Sequence, residues 1–199
     1  MNIAIFSIFP ILIASIGLFF KRRQNKGVTV GGNISTPKAL WLSYTVGSWF
    51  FLPILFLFWP IDQGVKYVII FHLSSFWIRG VLELFMIYKW YNWSPIHGIS
   101  HDLFHFFGVA ILFKYFWPME VNRPTLMTMI YIYSILISVG FETVFAIFFL
   151  KIRGKEKHKI YFADNSAQWK FVNYLTYFAV LICYGLLLFN AWFIRELAI

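Results

Sequence analysis

Residues 126–150 read LMTMIYIYSILISVGFETVFAIFFL, twenty-five positions with one charged side chain, Glu142. As an α-helix rising 1.5 Å per residue, the stretch is about 37 Å long, enough to cross the roughly 30 Å hydrocarbon layer of a bilayer. Its apolar residues run on without alternation, which argues against a strand of a lipid-facing barrel. Five more stretches of similar character follow in both directions, at about 2–20, 39–59, 66–90, 95–117 and 168–194. The expected fold is therefore all-α: a polytopic integral membrane protein, a six-transmembrane-helix bundle forming one domain over residues 1–199. The first stretch lacks a basic leader, with its charges following it instead, so it is expected to stay as a helix rather than to be cleaved as a signal peptide.

Composition excludes other classes. Of 199 residues, 60% are hydrophobic and 13% charged, too apolar for a disordered chain. Cys183 is the single cysteine, so no disulfide framework exists. The net charge of +9 is explained by position. Lys21, Arg22, Arg23, Lys26, Lys38, Lys89, Lys151, Arg153, Lys155, Lys157 and Lys159 fall on one side of the bundle, and Lys66, Arg123 and Arg195 on the other. The positive-inside rule makes the first side cytoplasmic and places both termini outside. An inner or plasma membrane location follows as an expectation. Basic loops can also hold anionic lipid headgroups, and nucleic acid is not an expected partner. Trp41, Trp90, Trp93 and Trp169 at the cytoplasmic ends, and Trp59, Trp117 and Trp192 at the outer ends, agree with these boundaries. Pro10 and Pro53 lie inside spans and free backbone carbonyls there.

The few ionisable residues at membrane depth carry the functional reading, because such groups are costly and face the bundle interior. They are Arg79 and Glu83 in the third span, His101, Asp102 and His105 in the fourth, and Glu142 in the fifth. His72 lies further towards the outside of the third span, and Lys114 can snorkel to the outer interface. Counted from the ends of their spans, Glu83, His105 and Glu142 all sit roughly 10–15 Å inside the cytoplasmic boundary. Three helices thus bring polar groups to one depth.

The fourth span opens Ser94-Pro95-Ile96-His97, with Ser94 suited to N-cap and Pro95 to the first helical position. His97, His101 and His105 recur every four residues and share one face. The full run covers about 12 Å, long for one ion, but His101 and His105 are neighbours on the helix surface. Asp102 can join them or orient His105. With a carboxylate from Glu83 or Glu142, the set resembles a mixed His/carboxylate shell for a divalent metal, zinc or iron, and His97 stays among the candidate ligands. The competing reading is a metal-free polar network that joins helices. Arg79 and Glu83 are four apart and form an internal ion pair, or else Arg79 meets a phosphate or carboxylate while Glu83 serves the metal or a proton. Glu142 has no partner on its own helix. In the sixth span Lys170, Asn173, Tyr174 and Tyr177 are candidates for substrate or headgroup binding.

No His-Glu-x-x-His, glycine-rich phosphate loop or Gly-x-Ser-x-Gly elbow is present. The expected function is a small membrane enzyme, a metal-dependent hydrolase in the simplest case, acting on a lipid or other amphiphile at the cytoplasmic leaflet. His101, His105, Asp102 and His97 would serve the metal, with Glu142, Glu83 and Arg79 in catalysis. The alternatives are a proton- or ion-coupled transporter, a non-catalytic partner subunit, or a haem carrier using His72 and His105. Membrane lipids and the substrate are the expected partners, with self-association left open.

Overall fold

The structure, a computed structural model, describes residues 3–26, 32–90, 94–153 and 163–196. Among these there is no strand. The helices are α1 (Ile3–Gln24), α2 (Thr36–Leu57), α3 (Gln63–Tyr88), α4 (Pro95–Tyr115), α5 (Arg123–Arg153) and α6 (Lys170–Glu196). The five helices from α2 to α6 are each long and apolar enough to cross a membrane, the mark of a helical membrane protein. Large apolar side chains stay exposed along them, as Ile70, Trp77, Ile78, Val81 and Phe85 do on α3. Water would not tolerate so continuous a patch, but lipid does. The loop residues Lys155, Lys157, Lys159 and His158, and Trp93, lie outside the described residues.

Local sequence explains where the helices start. Ser35 accepts the Lys38 backbone N–H at 3.3 Å ahead of Pro37, and Asp62 accepts that of Val65 at 3.0 Å. Ser94 caps α4 by accepting from His97 N, with Pro95 at the first position. Asn122 accepts from Thr125 N at 2.9 Å at the head of α5. α1 runs to Gln24, past the apolar stretch that ends near residue 20, because Lys21, Arg22 and Arg23 are good helix formers at a C-terminus.

Capping groups also join neighbouring loops. At the end away from the basic residues, Asn122 donates to Pro60 O and Asp62 N donates to Thr125 Oγ1, both at 3.0 Å. At the basic end, Ser35 N donates to Ala163 O at 2.8 Å, which ties the start of α2 to the segment before α6. The Asn25 amide and Ile34 backbone exchange bonds of 2.7 and 3.1 Å, drawing the end of α1 to the start of α2.

α2 is the central helix. About 56% of its apolar window is inside the bundle, against 28–33% for the other four spans. It buries Trp41, Tyr44, Trp49 and Phe56 in one continuous core with Val65, Val68 and Ile69 of α3 and Tyr131, Ile132 and Ile135 of α5. α1 lies against it at Gly17, where a Cβ would stand 2.8 Å from Ala39 O, so only glycine permits this approach.

The middle of α2 is irregular for a reason that lies in its sequence. Residues Gly47–Phe51 form a π-turn, with Leu52 N–H reaching back to Gly47 O. Pro53 follows and has no N–H. An α-helical bond from residue 53 would have served Trp49 O, while Leu52 N–H, the α-helical donor for Ser48 O, is drawn to Gly47 O by the π-turn. Both carbonyls are therefore left without a helical donor inside the core, where an unmet carbonyl is costly.

Candidate functional site

The two carbonyls left by the π-turn and Pro53 are met by side chains from other helices. Tyr131 of α5 donates its hydroxyl to Ser48 O at 2.6 Å, and His72 Nε2 lies 3.0 Å from Trp49 O. A carbonyl only accepts, so His72 carries its proton on Nε2 and presents Nδ1 as an acceptor. That Nδ1 is 2.8 Å from His105 Nε2, which must then be the donor. The relay ends at His105 Nδ1, a lone pair with no hydrogen-bond partner on a side chain that is fully buried. His101 repeats the pattern one turn away. Its Nε2 lies 2.9 Å from Ser75 O and is the donor, which leaves Nδ1 as a second unpartnered lone pair. Asp102 Oδ2 and His97 Nε2 are also buried without a partner. The rings of His97, His101 and His105 follow one another at centroid spacings of 6.3 and 5.9 Å, in the register the sequence predicts.

A cluster of charges sits beside the histidines. Arg79 donates from Nε to Glu83 at 3.1 Å, from Nη1 to Asp102, and from Nη2 to Glu142 at 3.5 Å. Glu142 also accepts from Trp41 Nε1 and lies 3.8 Å from Lys38 Nζ. Lys38 in turn sits 5.3 Å above the Phe145 ring. Three of the catalytic and metal candidates, Glu83, Asp102 and Glu142, each on a different helix, thus meet at the guanidinium of a fourth, Arg79. The α2 contribution is not legible in the sequence, where Lys38 falls in a loop and Trp41 at an interface.

Arg79, Glu83 and Glu142 also face a groove of about 480 Å³. Its walls are Ile16 and Phe20 of α1, Leu42, Val46 and Trp49 of α2, and Phe76, Leu84 and Ile87 of α3. The volume lies within the range of small-ligand sites, and the lining, apolar with a few charged groups in one place, is the usual make-up of such a site. The histidines do not line it. Asp102, hydrogen-bonded to Arg79, connects the two compartments.

The remaining candidates are placed apart. Asn173 uses both ends of its amide structurally, with Oδ1 accepting from Ser35 Oγ at 2.7 Å and Nδ2 donating to Asp164 O at 2.6 Å. Lys170, Tyr174 and Tyr177 are exposed on α6. Among the described residues, no three His, Cys, Asp or Glu side chains converge as a ready metal cage. His72 is the residue that depth alone leaves outside the cluster. A signal for it exists: Pro53 announces an unmet carbonyl, and His72 lies near the middle of α3, as His105 does of α4.

The chain was compared with protein-family models, with curated proteins and with solved structures, and none of the three comparisons found a match.

Proposed function

We propose that the chain is a six-span integral membrane enzyme that acts on a lipid or similar amphiphile at the cytoplasmic leaflet, with metal assistance. α1, 22 residues long, is the sixth span, the basic end is cytoplasmic and both termini are outside. The observation that carries the reading is the groove. It can hold an apolar chain along its walls while a polar end meets Arg79, Glu83 and Glu142.

The metal reading is supported by hydrogen-bond accounting. His101 and His105 each commit Nε2–H elsewhere and keep a buried Nδ1 lone pair. Ligating histidines typically have this arrangement, the far N–H held by a carbonyl or similar acceptor. Asp102 Oδ2 is a third unpartnered acceptor on the same helix. Zinc or iron held there would supply a hydroxide near neutral pH. Purified protein is then expected to hold one zinc or iron per chain by elemental analysis, to lose it on His101→Ala with His105→Ala, and to convert a component of a membrane lipid extract by mass spectrometry. Absence of stoichiometric metal together with an unchanged extract would sink the proposal.

Sidedness is tested separately. With Cys183→Ser as background, a cysteine at Glu120 is expected to react with an impermeant maleimide added outside intact cells, and one at Arg22 only after permeabilisation. The reverse pattern would invert the topology. The His72–His105 bond favours a second reading, a proton- or ion-coupled transporter, because it carries the polar groups beyond the cytoplasmic half. Ion flux in liposomes that follows an imposed gradient would support it over the enzyme.

A further inference from the structure

We infer that the groove is loaded sideways from the bilayer, through the opening between α1 and α3, by a lipid of the leaflet at the basic end whose tail stays in the membrane. The inference rests on the proposed role of the groove as the substrate site, and it names the route of the substrate and the part of it that is bound.

Helix packing leaves the opening. α1 packs on α2 and α6, whereas α3 packs on α2, α4 and α5, so α2 is the helix that both share. The groove is the space between α1 and α3, with α2 as its floor. The α1–α2 side is shut, because Gly17 lies directly against Ala39 O and Lys21 Nζ donates to Thr36 Oγ1 at 2.6 Å. Gln24 Nε2 fastens the turn beyond them by donating to Gly32 O at 2.8 Å. Along the opening, Ile16 of α1, Val46 of α2 and Leu84 of α3 are each more than half exposed. On helices that cross a membrane such side chains meet hydrocarbon, so the opening faces lipid tails.

Depth decides which part of a lipid is held. On α2 the lining runs from Ala39, close to the basic end, to Trp49, about 15 Å along the axis. That is the depth of one leaflet, half of a hydrocarbon layer of roughly 30 Å. Further in, the groove is closed by Trp49 and Phe76, whose rings meet edge-on at 5.8 Å. Trp49 is fully buried and its Nε1 donates to Ser138 Oγ at 2.9 Å, so the stop is fixed. Arg79 lies one helical turn from Phe76, about 5 Å. A lipid head that reaches Arg79 therefore has space beyond it for a few carbons only. Towards the basic end lies water, where a tail is unfavourable. The side opening is the remaining route, and a tail that leaves by it lies among other lipid tails.

The test uses the full-length protein in nanodiscs of uncharged lipid, with photoreactive probes that carry a diazirine next to the head. The probes are a fatty acid, a monoacylglycerol and an alkylamine, each in a ten-carbon and an eighteen-carbon form. Saturable labelling is read against Gly80→Leu, in which the groove is filled, and is mapped by mass spectrometry. For the head that binds best, the two lengths are expected to bind within about twofold of each other, because methylenes that stay in lipid gain nothing from the protein. The label is expected on α2 between Ala39 and Trp49 or on α3 between Phe76 and Ile87. Ile16→Trp with Leu84→Trp narrows the opening and should slow labelling about tenfold relative to Ile11→Trp with Ile111→Trp, the effect of bulk that must be pushed aside. All four positions are exposed, and the control pair lies away from the groove. A monodisperse gel-filtration profile confirms that both double variants are folded. A loss of about tenfold or more for the eighteen-carbon form, the behaviour of a chain enclosed in a pocket too short for it, overturns sideways loading and leaves the groove as an amphiphile site. A rim variant that labels as fast as its control does the same. If no probe labels these stretches above the Gly80→Leu background, the route and the groove reading both fall.

Discussion

Arg79→Leu should lower the unfolding temperature of the detergent-solubilised protein by about 10 °C, the largest single-residue effect expected in this chain. Arg79 is 5% exposed and holds Glu83, Asp102 and Glu142 together. Leucine fills part of the space but takes from Glu83, Asp102 and Glu142 the guanidinium that joins them. Breaking a buried pair from one side typically costs about 3–5 kcal/mol. For a chain of this size each kcal/mol is worth roughly 2–4 °C, which gives the stated shift. Cys183 provides the readout, since it is the only thiol and is fully buried, so a thiol-reactive dye reports unfolding directly. Arg79→Lys should fall between the two, because an ammonium restores the charge but not the three-way fork. Adding Glu142→Gln to Arg79→Leu should recover part of the loss, since it removes one of the stranded charges. If Arg79→Leu melts with the wild type, the cluster does not hold these helices together.

Gly80→Leu should abolish saturable binding of amphiphiles, and any turnover of them, while leaving the melting temperature unchanged or slightly raised. Gly80 is on the wall of the groove, and a Cβ placed there meets nothing within 4 Å. A leucine side chain can therefore grow into the open volume without pushing any neighbour aside. The helix itself is strengthened, since glycine in a helix interior costs about 1 kcal/mol relative to good helix formers. Gly185→Leu is the matched control: its Cβ is equally unobstructed, but it lies on α6 outside the groove. Loss of binding in Gly80→Leu with retention in Gly185→Leu locates the ligand. Equal binding in both would place it elsewhere.

How much of the site is legible in the sequence follows from the geometry of helices. Depth is arithmetic, because each residue advances a fixed distance along the axis. Counting residues is enough to place Glu83, His105 and Glu142 at one level with Asp102 a turn shallower, and the structure joins Glu83, Asp102 and Glu142 through Arg79. Direction around the axis is harder to read, since helices apolar on every side carry little periodic signal. That is why spacing alone groups Asn173 with Lys170 and Tyr177, although it turns inward to Ser35 while they remain exposed. It is also why Lys38 and Trp41 read as a loop residue and an interface residue, when both bend onto Glu142. His72 escapes for a different reason. Its role follows from the bond to Trp49 O that Pro53 cannot make, a requirement visible in the sequence only once the missing bond is counted.

That dependence of His72 and Tyr131 on the break in α2 extends beyond this one chain. Pro53 leaves Trp49 O unmet and the π-turn beside it leaves Ser48 O unmet, and His72 and Tyr131 meet them from two other helices. The three positions, far apart in sequence, are therefore bound to a common evolutionary history. In descendants that replace the proline, residue 53 regains an N–H for Trp49 O, and selection on the imidazole through that bond is relaxed. Where the proline persists, loss of either side chain leaves a carbonyl bare in the core. Variation at these sites should arrive as linked substitutions.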